Sequence, residues 1–101
     1  MATTSKALFR GAATTTVGTT LYTVPSATTT VVTNIAVTNT AATAGTFTIG
    51  LAGTALHTTA AIAANSTAYI DCKQVLVATN TITGGASATT INFHISGVEI
   101  N

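Results

Sequence analysis

The stretch 21–39, LYTVPSATTTVVTNIAVTN, most constrains what this chain can fold into. It begins as a short apolar segment, breaks at Pro25-Ser26 and continues as a long run of β-branched residues, which pack well on a pleated sheet. Proline lacks a backbone N–H, so it belongs between strands rather than inside a central one. Alternation then places aliphatic side chains on one face (Val31, Ile35 and Val37) and uncharged polar ones on the other (Thr30, Asn34 and Thr38). This pattern predicts a half-buried strand.

Similar short segments recur along the chain and predict about eight strands. They are separated by turn-forming residues at intervals of roughly 8–12 residues, which is typical of β-sandwiches. No stretch has a sustained 3.6-residue period, and threonine is a poor helix former. The predicted strands are 6–10, 21–24, 29–39, 46–52, 68–72, 74–78, 81–83 and 90–100, while 55–62 is ambiguous between a strand and a loose connection. The predicted fold class is therefore all-β: an antiparallel β-sandwich, jelly-roll-like, with about eight short strands.

Three segments carry more specific predictions. The continuous apolar run 74–78, QVLVA, indicates a strand buried on both faces or at a sheet junction. Gly84-Gly85 indicates a tight turn. Gly97 interrupts the last strand and predicts a bulge, after which Val98 and Ile100 continue the apolar alternation.

The chain length bounds the organisation. At 101 residues we expect one domain with a modest core. We divide it into residues 1–19, an N-terminal arm with the first strand, and residues 20–101, the β-sandwich. The predicted core consists of the large apolar residues at alternating strand positions: Leu21, Val31, Ile35, Val37, Phe47, Ile49, Leu51, Ile70, Val75, Val77, Ile82, Ile91, Phe93 and Ile95.

Charge is scarce and confined to three places. Charged residues form 5% of the chain, against about 25% in ordinary soluble domains, and none lies between residues 11 and 70. The net charge of +1 argues against nucleic-acid binding, which needs a basic surface to displace counterions from phosphates. A nearly neutral surface rich in threonine (26 residues) and alanine (19) favours packing against neighbouring molecules. A free but well-hydrated neutral surface is the alternative.

Hydropathy does not indicate a membrane protein. The mean hydropathy is +0.55, but no run approaches the roughly 20 consecutive apolar residues of a spanning helix. No apolar segment of a secretory signal follows Lys6 and Arg10, so we expect a protein made in a cytosol and kept there or released by lysis. Cys72 is the only cysteine, which excludes an intrachain disulfide.

Candidate chemistry is weak. A metal site would need His57 and His94 to be joined by an acidic residue or Cys72, and no pair of these residues has motif spacing such as HxxxH or CxxC. Cys72 and His94 are conceivable as nucleophile and base, but no orienting third group or glycine elbow accompanies them. We therefore expect no enzyme activity, no cofactor and no metal. Asp71 and Lys73, two residues apart on one strand face, are interpreted as an ion pair.

Two long segments carry a resemblance to a known family. LYTVPSATTTVVTNIAVTNT and IAANSTAYIDCKQVLVATNTITGGASATTINFHISGVEI, with their spacing, resemble a family of small virion proteins of tailed bacteriophages. The resemblance covers about residues 20–100. It implies a β-sandwich with a structural role, as a head decoration (cement) protein or as a tail or baseplate accessory protein. It transfers no catalytic residues.

The favoured hypothesis is a capsid decoration protein in the virion. We expect a homotrimer, matching three-fold positions of an icosahedral shell, that bridges capsomers by binding the major capsid protein. The predicted capsid-contact residues are Lys6, Leu8, Phe9 and Arg10, because this segment holds two of the three cations. The alternatives are a tail, baseplate or fibre component and a module that binds host glycans, for which two tyrosines and no tryptophan give little support.

Overall fold

The structure, a computed structural model, describes residues 3–101. Over this range the chain forms nine strands and no helix. The strands are β1 (Thr3–Ala12), β2 (Thr20–Thr23), β3 (Thr29–Asn39), β4 (Gly45–Leu51), β5 (Thr54–Ile62), β6 (Ser66–Ile70), β7 (Gln74–Leu76), β8 (Thr81–Ala86) and β9 (Ile91–Ile100). The all-β prediction is confirmed, and the ambiguous segment 55–62 lies in a strand.

The strands form two antiparallel sheets. Sheet 1 has the order β1-β9-β3-β6, with β7 also paired to β3, and sheet 2 has the order β2-β8-β4-β5. Strands β6 and β7 pair with different halves of β3, so they share one strand position at the edge of sheet 1. The nine strands therefore fill eight positions, four in each sheet. The chain passes repeatedly from one sheet to the other, which is the strand arrangement of a jelly roll.

The core lies between the two sheets and is built from both. Its largest fully buried side chain is Phe93 of β9, which meets Phe47 of β4 edge-to-face at a centroid distance of 6.4 Å. Such aromatic pairs stabilise beyond their buried area. The predicted core residues that the structure buries are Ile35, Val37, Phe47, Ile49, Leu51, Ile82, Ile91, Phe93 and Ile95.

A bulge in β3 overturns the predicted faces at the start of that strand. Val32 pairs with Gly97 and Asn34 pairs with Ser96, so Thr33 is an extra residue with no partner in β9. Because side chains alternate with a period of two, an extra residue exchanges the faces on either side of it. Thr30 and Val32 are therefore buried, and Val31, predicted in the core, faces outward and is half-buried.

Of four other predicted core residues, Leu21 and Ile70 are only partly buried but pack against the core, and Val75 and Val77 were wrong. Leu21 is half-buried because it is the unpaired residue of an irregularity between Thr20 and Tyr22. Ile70 ends an edge strand and is half-buried. Val75 and Val77 are 63% and 56% exposed, because β7 is a three-residue edge strand that buries only Leu76. The run 74–78 is thus not buried on both faces.

Both glycine predictions need correction. Strand β9 pairs without interruption, and the bulges lie in its neighbours, at Leu8 of β1 and Thr33 of β3. Val98 and Ile100 consequently face outward, and Glu99 faces the core. Gly84 and Gly85 lie inside β8 and are buried, rather than forming a turn. A Cβ on Gly85 would lie 2.5 Å from the carbonyl oxygen of Thr16, because the β1–β2 loop crosses β8 there.

Replacing Gly97 with alanine tests the double bulge. An added Cβ would lie 2.5 Å from the Val31 carbonyl oxygen and 2.8 Å from a methyl group of Leu8. We expect Gly97→Ala to lower the free energy of unfolding by about 1–3 kcal/mol, measured by urea denaturation. The control is Gly18→Ala, where nothing lies within 4 Å of the added Cβ. Equal stabilities of the two variants would contradict the packing described for Gly97.

Candidate functional site

The predicted capsid-contact segment is an edge strand of sheet 1 rather than a free arm. Residues 3–12 form β1 and pair with β9 along its length. Leu8 was predicted to contact the capsid, and this is wrong: it is the bulged residue of β1 and is buried in the core. Phe9 is half-buried and packs against the core, whereas Lys6 and Arg10 are exposed. Residues 1 and 2 lie outside the described part of the chain.

A polar cluster, which we call the Glu99 network, joins the two sheets near the start of β1. It consists of Lys6, Tyr22, Thr30 and Glu99, contributed by β1, β2, β3 and β9. The Tyr22 hydroxyl donates a hydrogen bond to Glu99 Oε2 and lies 2.9 Å from the Thr30 hydroxyl. Lys6 Nζ lies 3.3 Å from Glu99 Oε2, and the Glu99 side chain is 12% exposed. The network thus pairs the inward-facing carboxylate of sheet 1 with a side chain of sheet 2.

The Glu99 network shifts the proton affinities of its members in opposite directions. The hydrogen bond from Tyr22 lowers the pKa of Glu99 below its ordinary value of 4.5, and Lys6 acts in the same direction. Burial raises the pKa of Tyr22 above 10.0, and the hydrogen bond to Glu99 raises it further. At neutral pH the network therefore holds an ionised Glu99 and a neutral Tyr22. A partly buried carboxylate with these partners is stabilising because its charge is both paired and hydrogen-bonded.

The side chains of sheet 1 that point away from the core form a second feature, which we call the outer face. Two rows cross it in register. The first is Arg10, His94, Ala36 and Tyr69, and the second is Ser5, Val98, Val31 and Val75. Tyr69 is 75% exposed. Arg10 is the only charged residue in these two rows.

The outer face carries an aliphatic patch at the end where β7 pairs with β3. Val75 is paired with Val31, and Val31 is paired with Val98. Val77 follows two residues after Val75, and Ile100 two residues after Val98. Exposed apolar clusters of this kind mark interaction surfaces more often than isolated apolar residues do. The patch arises because the Thr33 bulge turns Val31 outward.

The histidines, the cysteine and the exposed ion pair are scattered over the fold. His57 lies on β5 with its ring 5.9 Å from that of Phe47. His94 is exposed on β9, while Cys72 lies between β6 and β7, so β3 separates these two residues. Burial raises the pKa of the Cys72 thiol, which lowers its thiolate fraction. Asp71 and Lys73 are 3.5 Å apart, as predicted, and both are largely exposed.

Residues 3–101 contain no group of three or more metal-ligating side chains. The surface of the same residues has no detectable pocket. Within the described chain, no helix has the length and apolarity needed to cross a membrane.

Sequence reasoning missed both features of this surface. Tyr22 was not placed in the core, because it follows an irregularity in β2 that alternation alone does not reveal. Glu99 was placed on the wrong face, because a bulge was assumed at Gly97 and β9 is in fact regular. The one local signal of the change of face within β3 is that two apolar residues, Val31 and Val32, are adjacent, so that only one of them can face inward. Comparison with known proteins gives no match, either to a protein-family model or to a curated protein.

Removing one hydroxyl tests the Glu99 network. Tyr22→Phe takes the donor away from Glu99 and leaves the buried Thr30 hydroxyl without this partner. We expect a loss of about 1–3 kcal/mol in the free energy of unfolding, measured by chemical denaturation. Tyr69→Phe is the matched control, since Tyr69 is exposed, and should change stability by less than about 0.5 kcal/mol. Similar losses in the two variants would rule out a structural role for the network.

The network also predicts a pH dependence. Because the folded pKa of Glu99 is lower than its unfolded pKa, its stabilisation is complete above 4.5 and is lost as the pH falls through the folded value. We expect wild type to be more stable than Glu99→Gln at pH 7 and the difference to shrink on acidification below 4.5. The measurement is denaturant unfolding of both proteins across this range. A difference that stays constant with pH would contradict the ionised state assigned to Glu99.

Proposed function

We propose that this protein is a structural component of a bacteriophage virion, and specifically a head decoration (cement) protein. The observation that carries the proposal is the outer face: a broad sheet surface, nearly free of charge, with exposed Tyr69 and Val75. Such a surface suits a protein that is covered by neighbours. The sequence resemblance to small phage virion proteins supports the same role.

The fold is suited to this work. Jelly-roll sandwiches occur in many viral capsid domains, where they present wide faces and loops for lateral contact. Here the Glu99 network and a continuous core join the two sheets into one block. A rigid block that buries surface across a capsomer boundary adds interface free energy without any chemical step. The shell would then resist internal DNA pressure better.

The proposed partners are the major capsid protein and further copies of this chain. A homotrimer is the assembly that matches three-fold capsomer junctions. Of the predicted capsid-contact residues, Lys6, Phe9 and Arg10 keep that proposed role because each retains solvent exposure, and Leu8 does not. Lys6 also pairs with Glu99, so its contact with a capsid would compete with the Glu99 network.

Copy number per particle tests the proposed function. We expect purified particles to contain hundreds of copies, close to one per major capsid subunit, measured by quantitative mass spectrometry against that subunit. A handful to a few dozen copies would contradict the decoration role and place the protein in the tail, baseplate or fibre. Absence from washed particles would contradict a virion role and favour the glycan-binding alternative, which an array probed with the purified protein would then examine.

A further inference from the structure

Each of the two rows on the outer face is complementary to the same row read in the opposite direction. In the first row the side chains run large, large, small, large: Arg10, His94, Ala36 and Tyr69. In the second row Ser5 lies at the β1 edge and Val75 at the β7 edge, with Val98 and Val31 between them. The midline of both rows lies between β9 and β3. Positions at equal distances on either side of this midline can therefore be compared as pairs.

We infer that a second copy of this chain packs on the outer face, about a two-fold axis that runs along the strands between β9 and β3. Such an axis places each residue of a row opposite a residue of the same row in the second copy, the one that lies at the same distance on the other side of the midline. His94 then meets Ala36, a large residue against a small one. Val98 meets Val31, and Val75 meets Ser5. This contact is isologous, so it closes at two copies.

The few charges of the outer face also agree with this arrangement. Arg10 at the β1 edge is placed against Tyr69 of the second copy, where a guanidinium can stack on the aromatic ring. Asp71 follows Tyr69 by two residues, is 84% exposed and lies 3.5 Å from Lys73, so the second copy brings both a carboxylate and an ammonium group to this corner. The two Arg10 side chains lie at opposite edges, three strand spacings or about 14 Å apart. Their repulsion is therefore largely screened at physiological salt.

The extent of the molecule is compatible with a stable pair. It measures 45 × 21 × 18 Å, so the rectangle that bounds its broad side is about 900 Å² and sets an upper limit on the contact, against the about 800 Å² that each partner contributes to a standard interface. The aliphatic patch supplies the apolar part of the contact, at one end of the face, and polar side chains such as Asn34 and Ser96 lie beside it. Sheets packed in this way lie about 10 Å apart, as they do inside a sandwich.

The inference rests on the proposed function only in taking the outer face as the surface that contacts other molecules. The two-fold contact and the proposed homotrimer are separate contacts. With the two-fold contact alone the protein is a dimer of about 20 kDa, twice the chain mass of 10.0 kDa; with both contacts, about axes that meet at right angles, it is a hexamer of about 60 kDa. The two-fold contact takes Arg10 into the self-interface and leaves Lys6 and Phe9 for the shell.

The experiment is light scattering of the purified full chain as wild type, Val75→Lys and Val17→Lys. We expect the mass of the wild-type assembly to be an even multiple of the chain mass. Val75→Lys should halve this assembly mass and weaken association about tenfold or more. Val17→Lys is the matched control, because Val17 is 51% exposed in the β1–β2 loop, away from the outer face. Circular dichroism and thermal unfolding show that each variant is folded. A wild-type monomer or trimer, or equal masses for the two variants, would overturn the inference.

A charge exchange provides a second test, which does not depend on Val75. Arg10→Asp and Asp71→Arg should each weaken the dimer several-fold, and the double variant should recover most of the loss. Within one chain these residues lie at opposite edges of sheet 1, so recovery can only come from a contact between copies. Losses that simply add in the double variant would overturn the two-fold arrangement. Because copy number in particles is measured separately, failure of this contact leaves the test of the proposed function intact.

Discussion

The pairing of β9 with β1 on one side and β3 on the other is the constraint on which the rest of the structure depends. Strand β9 is regular, and each neighbour carries one extra residue opposite the Ile95–Gly97 segment. Glycine at 97 makes this possible, because a side chain there would collide with the backbone of β3. The two bulges send Leu8 and Thr30 inward and Val31 outward. The core, the Glu99 network and the aliphatic patch all follow from this local geometry.

The inner and outer faces of sheet 1 have different functions as a result. Inside, Glu99 accepts a hydrogen bond from Tyr22 of the opposite sheet, so a charged residue contributes to stability where alternation would place an aliphatic one. Outside, the displaced valines leave an apolar area on a face with almost no charge. A free molecule with such a face is prone to associate. A structural protein of an assembly can use that tendency, and this is the physical basis of the proposed virion role.

The sequence predicted the fold class and most strand positions well, because β-branched alternation and turn residues are local signals. Residues such as Ile35, Phe47 and Phe93 were placed in the core correctly since their strands are regular around them. The errors lie where one extra residue reverses the alternation, at Leu8 and Val31, and where a short edge strand leaves valines exposed, at Val75 and Val77. Gly84-Gly85 shows the same limit: two glycines predict a turn, but here they let a distant loop cross a strand. Long-range contacts decide these positions, and a single sequence does not contain them.

The central claim is that the outer face of sheet 1 is covered by other protein molecules when the protein is assembled in the particle. Hydroxyl-radical footprinting of Tyr69, which is 75% exposed on that face, tests this most directly. The rate of Tyr69 oxidation would be compared between purified phage particles and the isolated Val75→Lys variant, with His57 on sheet 2 as the internal reference. The account predicts strong protection of Tyr69 in particles relative to the isolated variant. Equal oxidation of Tyr69 in both samples would contradict it.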